Sequence, residues 1–151
     1  MATADMITIS DVEEYLPDVL DYGILSFDAS FERSRQDIFR KLRIDWWPRA
    51  NYGRTDLSVL GDTIEMDETK LTESQFTRAC VFHCLAYYIM PQLTRHDPER
   101  DRFIEMADYY KSRFNEEFDS VLKDGVEYDD DGDGTIQDAE KQSLHYGRLV
   151  R

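Results

Sequence analysis

The chain has 151 residues, 41% of them hydrophobic, which suffices for one packed domain and excludes wholesale disorder. Thirty-two acidic residues against 18 Lys and Arg give a net charge of −14, which excludes a protein that wraps DNA through a basic face, since phosphates would be repelled. No apolar run approaches the roughly 18 residues of a membrane span. The opening MATADMITIS lacks the regions of a signal peptide, and Cys80 and Cys84 make no disulfide framework, so a soluble, intracellular product is expected.

A first short helix is signalled at Ser10, where Ser10-Asp11-Val12-Glu13 reads as a capping box. Pro17 and Gly23 punctuate the chain after this helix. The second helix is expected over 28–45, because Phe27, Phe31, Ile38, Leu42 and Trp46 recur at helical spacing. Arg33, Arg35, Arg40, Lys41 and Arg43 fill much of the rest, as a solvated face or one turned to an acidic neighbour. Trp46-Trp47-Pro48 closes this helix, since the residue before proline avoids the helical region. The two tryptophans suit either the core or an interface. Residues 48–71 break every period, with Leu57, Val59, Leu60, Ile64 and Met66 as material for a short hairpin. Loops this long are often functional or partner-bound.

The third helix is expected to start at a second capping box, Thr72-Glu73-Ser74-Gln75, and to bury Phe76, Ala79, Cys80, His83, Cys84, Tyr87 and Tyr88. Pro91 should end or kink it. The fourth has Asp97 as N-cap and Pro98 at its first position. Its stripe is Phe103, Met106, Ala107, Tyr110, Phe114, Phe118 and Val121, and Asp124-Gly125 stops it. The expected fold is all-α: a bundle of about four helices over 1–125, a loop over 126–140 and a basic tail over 141–151.

Residues 129–140 fit the twelve-residue calcium loop of EF-hands position for position. Asp129, Asp131 and Asp133 would give monodentate oxygens and Thr135 its carbonyl. Gln137 would hold a bridging water, and Glu140 would bind bidentately. Gly134 permits the sharp turn, and Ile136 is the usual apolar residue. Calcium is a hard cation that needs six to eight oxygens, which this set approaches. The flanks differ from a paired hand: Gly125 breaks the entering helix early, only Lys141 to Leu144 remain for an exiting one, and there is no second loop. The loop therefore reads as a local staple that fixes how the tail leaves the bundle.

Other constellations point away from catalysis. Cys80, His83 and Cys84, with His96 as a fourth, could be offered to zinc, but three ligands within one helical turn rarely converge on a tetrahedral ion. They read as a buried, reduced core patch. No phosphate loop, nucleophile elbow or H-E-x-x-H occurs, so an enzyme is not expected. The charge reverses sharply near the end: from Glu116 to Glu140 there are eleven acids and one lysine, and from Lys141 onward three bases and no acid. Leu144, His145, Tyr146, Arg148, Leu149, Val150 and Arg151 are too few to form a core and are expected to dock on a partner.

The whole pattern resembles the head-to-tail connector, or adaptor, proteins in the neck of tailed bacteriophages. The resemblance spans residues 7–128 in organisation. A short capped helix precedes a longer one, and an amphipathic helix from Asp97 to Leu122 leads into a tail beginning Gly125-Val126-Glu127-Tyr128. Tyr109-Tyr110-Lys111-Ser112-Arg113-Phe114, then Glu127-Tyr128-Asp129 and the D-G-D-G loop, look like termini of such proteins. The resemblance implies a virion protein made in the host cytoplasm. It also implies a homo-oligomeric ring of about twelve copies between the portal protein and the neck and tail proteins. DNA would pass through the lumen without specific binding, and no membrane would be involved. A rival reading is a single EF-hand regulatory protein, which needs an exposed apolar groove and a calcium-driven helix movement.

Overall fold

The computed structural model describes residues 6–50, 65–94, 100–129, 132–137 and 141–142, and these form an all-α fold. Thr8, not Ser10, opens the first helix, α1 (Ile9–Glu13). The Asp11 carboxylate accepts the Thr8 N–H at 2.8 Å and the Thr8 hydroxyl at 2.7 Å, which satisfies a backbone donor at the positive end of the helix. The cap moves two residues upstream of the expected one because Ile7 and Val12 then flank it at the staple positions, and both are buried. A 3₁₀ turn (Val19–Tyr22) comes next and ends at Gly23, whose φ of +82° is a left-handed conformation that favours glycine.

The second helix, α2 (Asp28–Asp45), runs where the periodicity places it and buries Ser30, Ser34, Ile38, Phe39 and Leu42. It breaks at Trp46, and a single turn, α3 (Trp47–Ala50), continues the chain. Pro48 stands in the first turn of α3, where its missing N–H costs nothing. Trp46 is core and Trp47 half-buried, so the pair closes the bundle from inside. The basic residues of α2 are partly used within the chain. Arg35 donates to Glu73 at 2.6 Å, a bond that holds its guanidinium pKa above the ordinary value. Arg43 pairs with Glu68, and Lys41 with Asp45 at 2.9 Å. Arg33 and Arg40 are exposed. Of the expected hairpin, Leu57, Val59, Leu60 and Ile64 lie outside the described residues, while Met66 is buried.

The third helix departs from a simple rod. A 3₁₀ turn (Glu73–Phe76) leads into α4 (Thr77–Cys84), a π-helical turn (Leu85–Ile89) and α5 (Met90–Thr94). The π turn precedes Pro91, whose ring in a regular helix would clash with the carbonyl of Tyr87 and leave it without a donor. Widening the preceding turn absorbs that conflict without a break. The buried face shifts with it. Ile89, Met90 and Leu93 are buried, whereas Tyr87, expected in the core, is exposed and Tyr88 half-buried.

The last helix, α6 (Arg100–Asp124), buries Phe103, Tyr110, Phe114, Phe118, Val121 and Leu122, with Met106 and Ala107 half-buried against the core. Its expected caps, Asp97 and Pro98, lie outside the described residues. Gly125 stops it at a φ of +105°. Ring contacts give the direction of packing: Phe82 on Tyr110, His83 on Phe114 and Phe76 on Phe118. These order α4 antiparallel to α6. Ser34 meets His83, and Ser30 meets Gln92 beyond the π turn, so α2 is also antiparallel to this central element. The α4–α5 segment is thus sandwiched, which explains why Ala79 to Ala86 are all buried. No described helix is long and apolar enough to cross a membrane.

Candidate functional site

The core continues past Gly125, the boundary expected from composition. Val126 and Tyr128 are fully packed, because the chain turns back over the end of the bundle. The Tyr128 ring lies 5.8 Å from Trp46 and 5.1 Å from Trp47, and its hydroxyl accepts the Asp67 N–H at 3.1 Å. Gln75 clamps the same segment. Its side-chain amide donates to the Gly125 carbonyl at 3.1 Å and accepts the Glu127 N–H at 2.9 Å. The expected capping box is therefore not made: Gln75 reaches forward to residues 125–127, where unpaired backbone groups lie beyond the helix end. Backbone bonds from Thr72 to Glu127 and from Asp129 to Lys70 complete the anchor.

From this root springs the acidic loop. The Asp129 carboxylate accepts the N–H groups of Gly132, at 3.1 Å, and Gly134, at 2.8 Å. Asp133 accepts the Thr135 N–H at 2.7 Å, and the Gln137 amide reaches Asp133 at 3.4 Å. Gly132 and Gly134 have φ of +73° and +82°, conformations that glycine adopts without strain. The chain thus curls around its first carboxylate, as the sequence pattern requires of Gly134. Asp131 and Glu140 lie outside the described residues, and among the described residues no three His, Cys, Asp or Glu side chains converge as a metal site. The donor chemistry fits calcium: carboxylate, carbonyl and amide oxygens, with no sulfur or imidazole among them.

The loop closes differently from a helical hand. Lys141–Gln142 (β2) is extended and pairs antiparallel with Val126–Glu127 (β1), with Lys141 Nζ 3.8 Å from the Glu127 carboxylate. The exiting helix expected at Lys141 is replaced there by a two-residue strand, because β1 offers it a partner. The docking residues Leu144, His145, Tyr146, Arg148, Leu149, Val150 and Arg151 lie outside the described residues.

Cys80, His83 and Cys84 are all buried. Burial pushes both thiols up, Cys84 to about 12, so neither is a thiolate at neutral pH. His83 belongs to a polar cluster that sequence reasoning missed. Its Nδ1 lies 3.0 Å from Ser34 Oγ and its Nε2 3.9 Å from the Asp37 carboxylate, to which the Tyr88 hydroxyl donates. Burial lowers the imidazole to about 4 and raises Tyr88 to about 12, so His83 stays neutral and Tyr88 stays protonated. The order Ser34–His83–Asp37 superficially matches a hydrolytic triad, but Ser34 is fully buried and cannot meet a substrate. The cluster serves instead to satisfy polar groups between α2 and the π turn, and among the described residues no buried side-chain polar atom lacks a partner. The only hint of it in sequence is two serines on the apolar stripe of α2.

No protein-family model, curated protein or solved structure matches this chain.

Proposed function

We propose that this chain is a structural protein of a tailed-phage virion, a head-tail connector, rather than an enzyme. Its helical bundle forms the body of a ring between portal and neck, and its C-terminal segment docks on a neighbouring subunit. The observation that carries this reading is the clamp on the end of α6: Val126, Tyr128 and Gln75 fix the chain at one end of a 25-residue helix, from which it leaves through an acidic loop toward a basic, apolar segment. A chain needs no such clamp for a tail that hangs in solvent. A charge of −14 per copy, repeated around a ring, gives an acidic lumen that lets DNA pass without gripping it.

Calcium suits the loop in this role. Asp129, Asp131, Asp133, the Thr135 carbonyl, Gln137 through water and Glu140 would hold it. The ion would neutralise the crowded carboxylates and stiffen the exit of the tail. The regulatory alternative has less support, because the chain is extended at Lys141–Gln142, where a sensor hand needs a helix to move.

The test is deletion of residues 141–151, with the product measured by mass alone and with portal rings. The truncated chain should remain folded and fail to join the portal, and phage assembly should yield heads without tails. Tailed particles built with the truncated chain would overturn the reading.

A further inference from the structure

A groove opens at the end of the bundle opposite the calcium loop. It has a volume of about 550 Å³ and is lined by Tyr22, Ile24, Leu25, Ser26, Gln92 and Leu93. Leu25 is 102% exposed, beside a buried Leu93 and a half-buried Ile24. The segment that forms one wall of the groove is acidic, while Arg102, exposed, stacks on Phe103, the ring that Tyr22 touches. Residues 1–32 carry eight acids and neither Lys nor Arg, and Asp18, Asp21 and Asp28 are exposed around the groove segment. The complementary sequence lies at the other terminus, where Leu144, Tyr146, Leu149 and Val150 alternate with His145, Arg148 and Arg151, without an acid.

We infer that this groove receives residues 144–150 of a second copy of the chain. The inference rests on the docking reading above and identifies the receiving surface. Distance forbids the same contact within one copy. Tyr22 packs on Phe103, 5.4 Å between ring centroids, so the groove stands near the start of α6, whereas β2 stands at its far end. The helix between them is about 33 Å long at 1.5 Å per residue. Leu144 and Tyr146 extend at most about 7 and 14 Å from Gln142, and Val150 at most about 28 Å. A segment that matches the groove but cannot reach its own must find another's. Apolar side chains then fill the groove, and Arg148 and Arg151 meet Asp18, Asp21 and Asp28. A contact between the tail of one copy and the groove of the next is heterologous, the kind that builds a ring when the rotation between copies closes. It also answers an electrostatic problem, since chains of net charge −14 repel one another except where opposite ends meet.

The experiment uses the full-length chain. Leu25→Cys and Val150→Cys are made as separate variants, mixed and oxidised, with Ser112→Cys replacing Leu25→Cys as the control on an exposed face of α6. Leu25→Asp is measured in parallel by mass photometry and far-UV circular dichroism; because Leu25 is exposed, the variant should fold normally. The expected result is a disulfide-linked dimer for the Leu25 and Val150 pair, none for the control, and at least tenfold weaker self-association of Leu25→Asp. If wild type self-associates but Leu25→Asp does so equally and no disulfide forms, the groove is not the receiver, and portal docking is untouched. A wild-type chain that stays monomeric, with no disulfide from the mixed Leu25→Cys and Val150→Cys variants, overturns the inference in the same way. If the chain lacking residues 141–151 still joins the portal, the docking reading itself fails.

Discussion

Truncating Tyr128 tests whether the root of the loop belongs to the core. The residue is 5% exposed, its ring touches Trp46 and Trp47, and its hydroxyl accepts the Asp67 N–H. Tyr128→Phe keeps the ring and strands one half-buried N–H, a loss of about 1 kcal/mol. Tyr128→Ala also removes the ring that packs beside both indoles and leaves a cavity, a loss of about 3–5 kcal/mol. For a domain whose total stability is about 5–15 kcal/mol, that is a large share. At about 2–4 °C per kcal/mol for a chain of this size, Tm should fall by about 10 °C. Urea unfolding followed by far-UV circular dichroism measures both variants, and the denaturant slope should not change. If Tyr128→Ala lies within about 0.5 kcal/mol of wild type, as for an exposed residue, the core ends at Gly125 and the clamp has no energetic meaning.

Calcium should bind once per chain, and Glu140→Ala should weaken it strongly; isothermal titration with unchanged affinity would remove the assignment. Because the loop is rooted in the core, calcium at a hundredfold excess over its Kd should raise bundle stability by about 2.7 kcal/mol, while chelator leaves far-UV helicity nearly intact at room temperature; a Tm indifferent to calcium would show the loop uncoupled. His83 is neutral in the fold, with its pKa lowered from 6.5 to about 4 by burial. The unfolded chain therefore binds the extra proton first, and this contribution is complete above about pH 6.5 and is lost as pH falls toward 4, on the order of 3 kcal/mol. His83→Gln should flatten that part of the stability profile, and an unchanged slope would contradict the burial argument. Cys80 and Cys84 should resist a thiol reagent in the native protein and react fully in denaturant, whereas rapid native labelling would show that α4 is not central.

Helix positions were legible where periodicity and packing agree. The limits of α2 follow from Phe27, Ile38, Leu42 and Trp46, and the buried stripe of α6 from Phe103 to Val121, because one face of each meets the core. What sequence could not show is competition between partners. Gln75 had a local role as a capping residue, but the backbone of residues 125–127 outcompetes Thr72 for its amide. Asp11 likewise serves Thr8, because the staple Ile7–Val12 fixes the helix start. Pro91 announced a disturbance of the helix, yet only tertiary packing on both sides decides that it becomes a π turn rather than an end. The polar cluster around His83 joins residues 49 apart, a distance at which no local pattern speaks. Conversely, the curl of the acidic loop was legible, since Asp129, Asp133 and Gly134 act within five residues of one another.

As proposed above, the clamped C-terminal end of α6 would present a docking segment for assembly on a portal. Electron microscopy of the full-length chain mixed with portal rings in calcium tests it most directly. A ring, of the copy number that the connector resemblance implies, should sit on the portal, with the Trp46–Tyr128 end of each bundle at the tail's point of departure and no ring when residues 141–151 are removed. Portal rings that remain bare in the presence of the intact, calcium-loaded chain would contradict it.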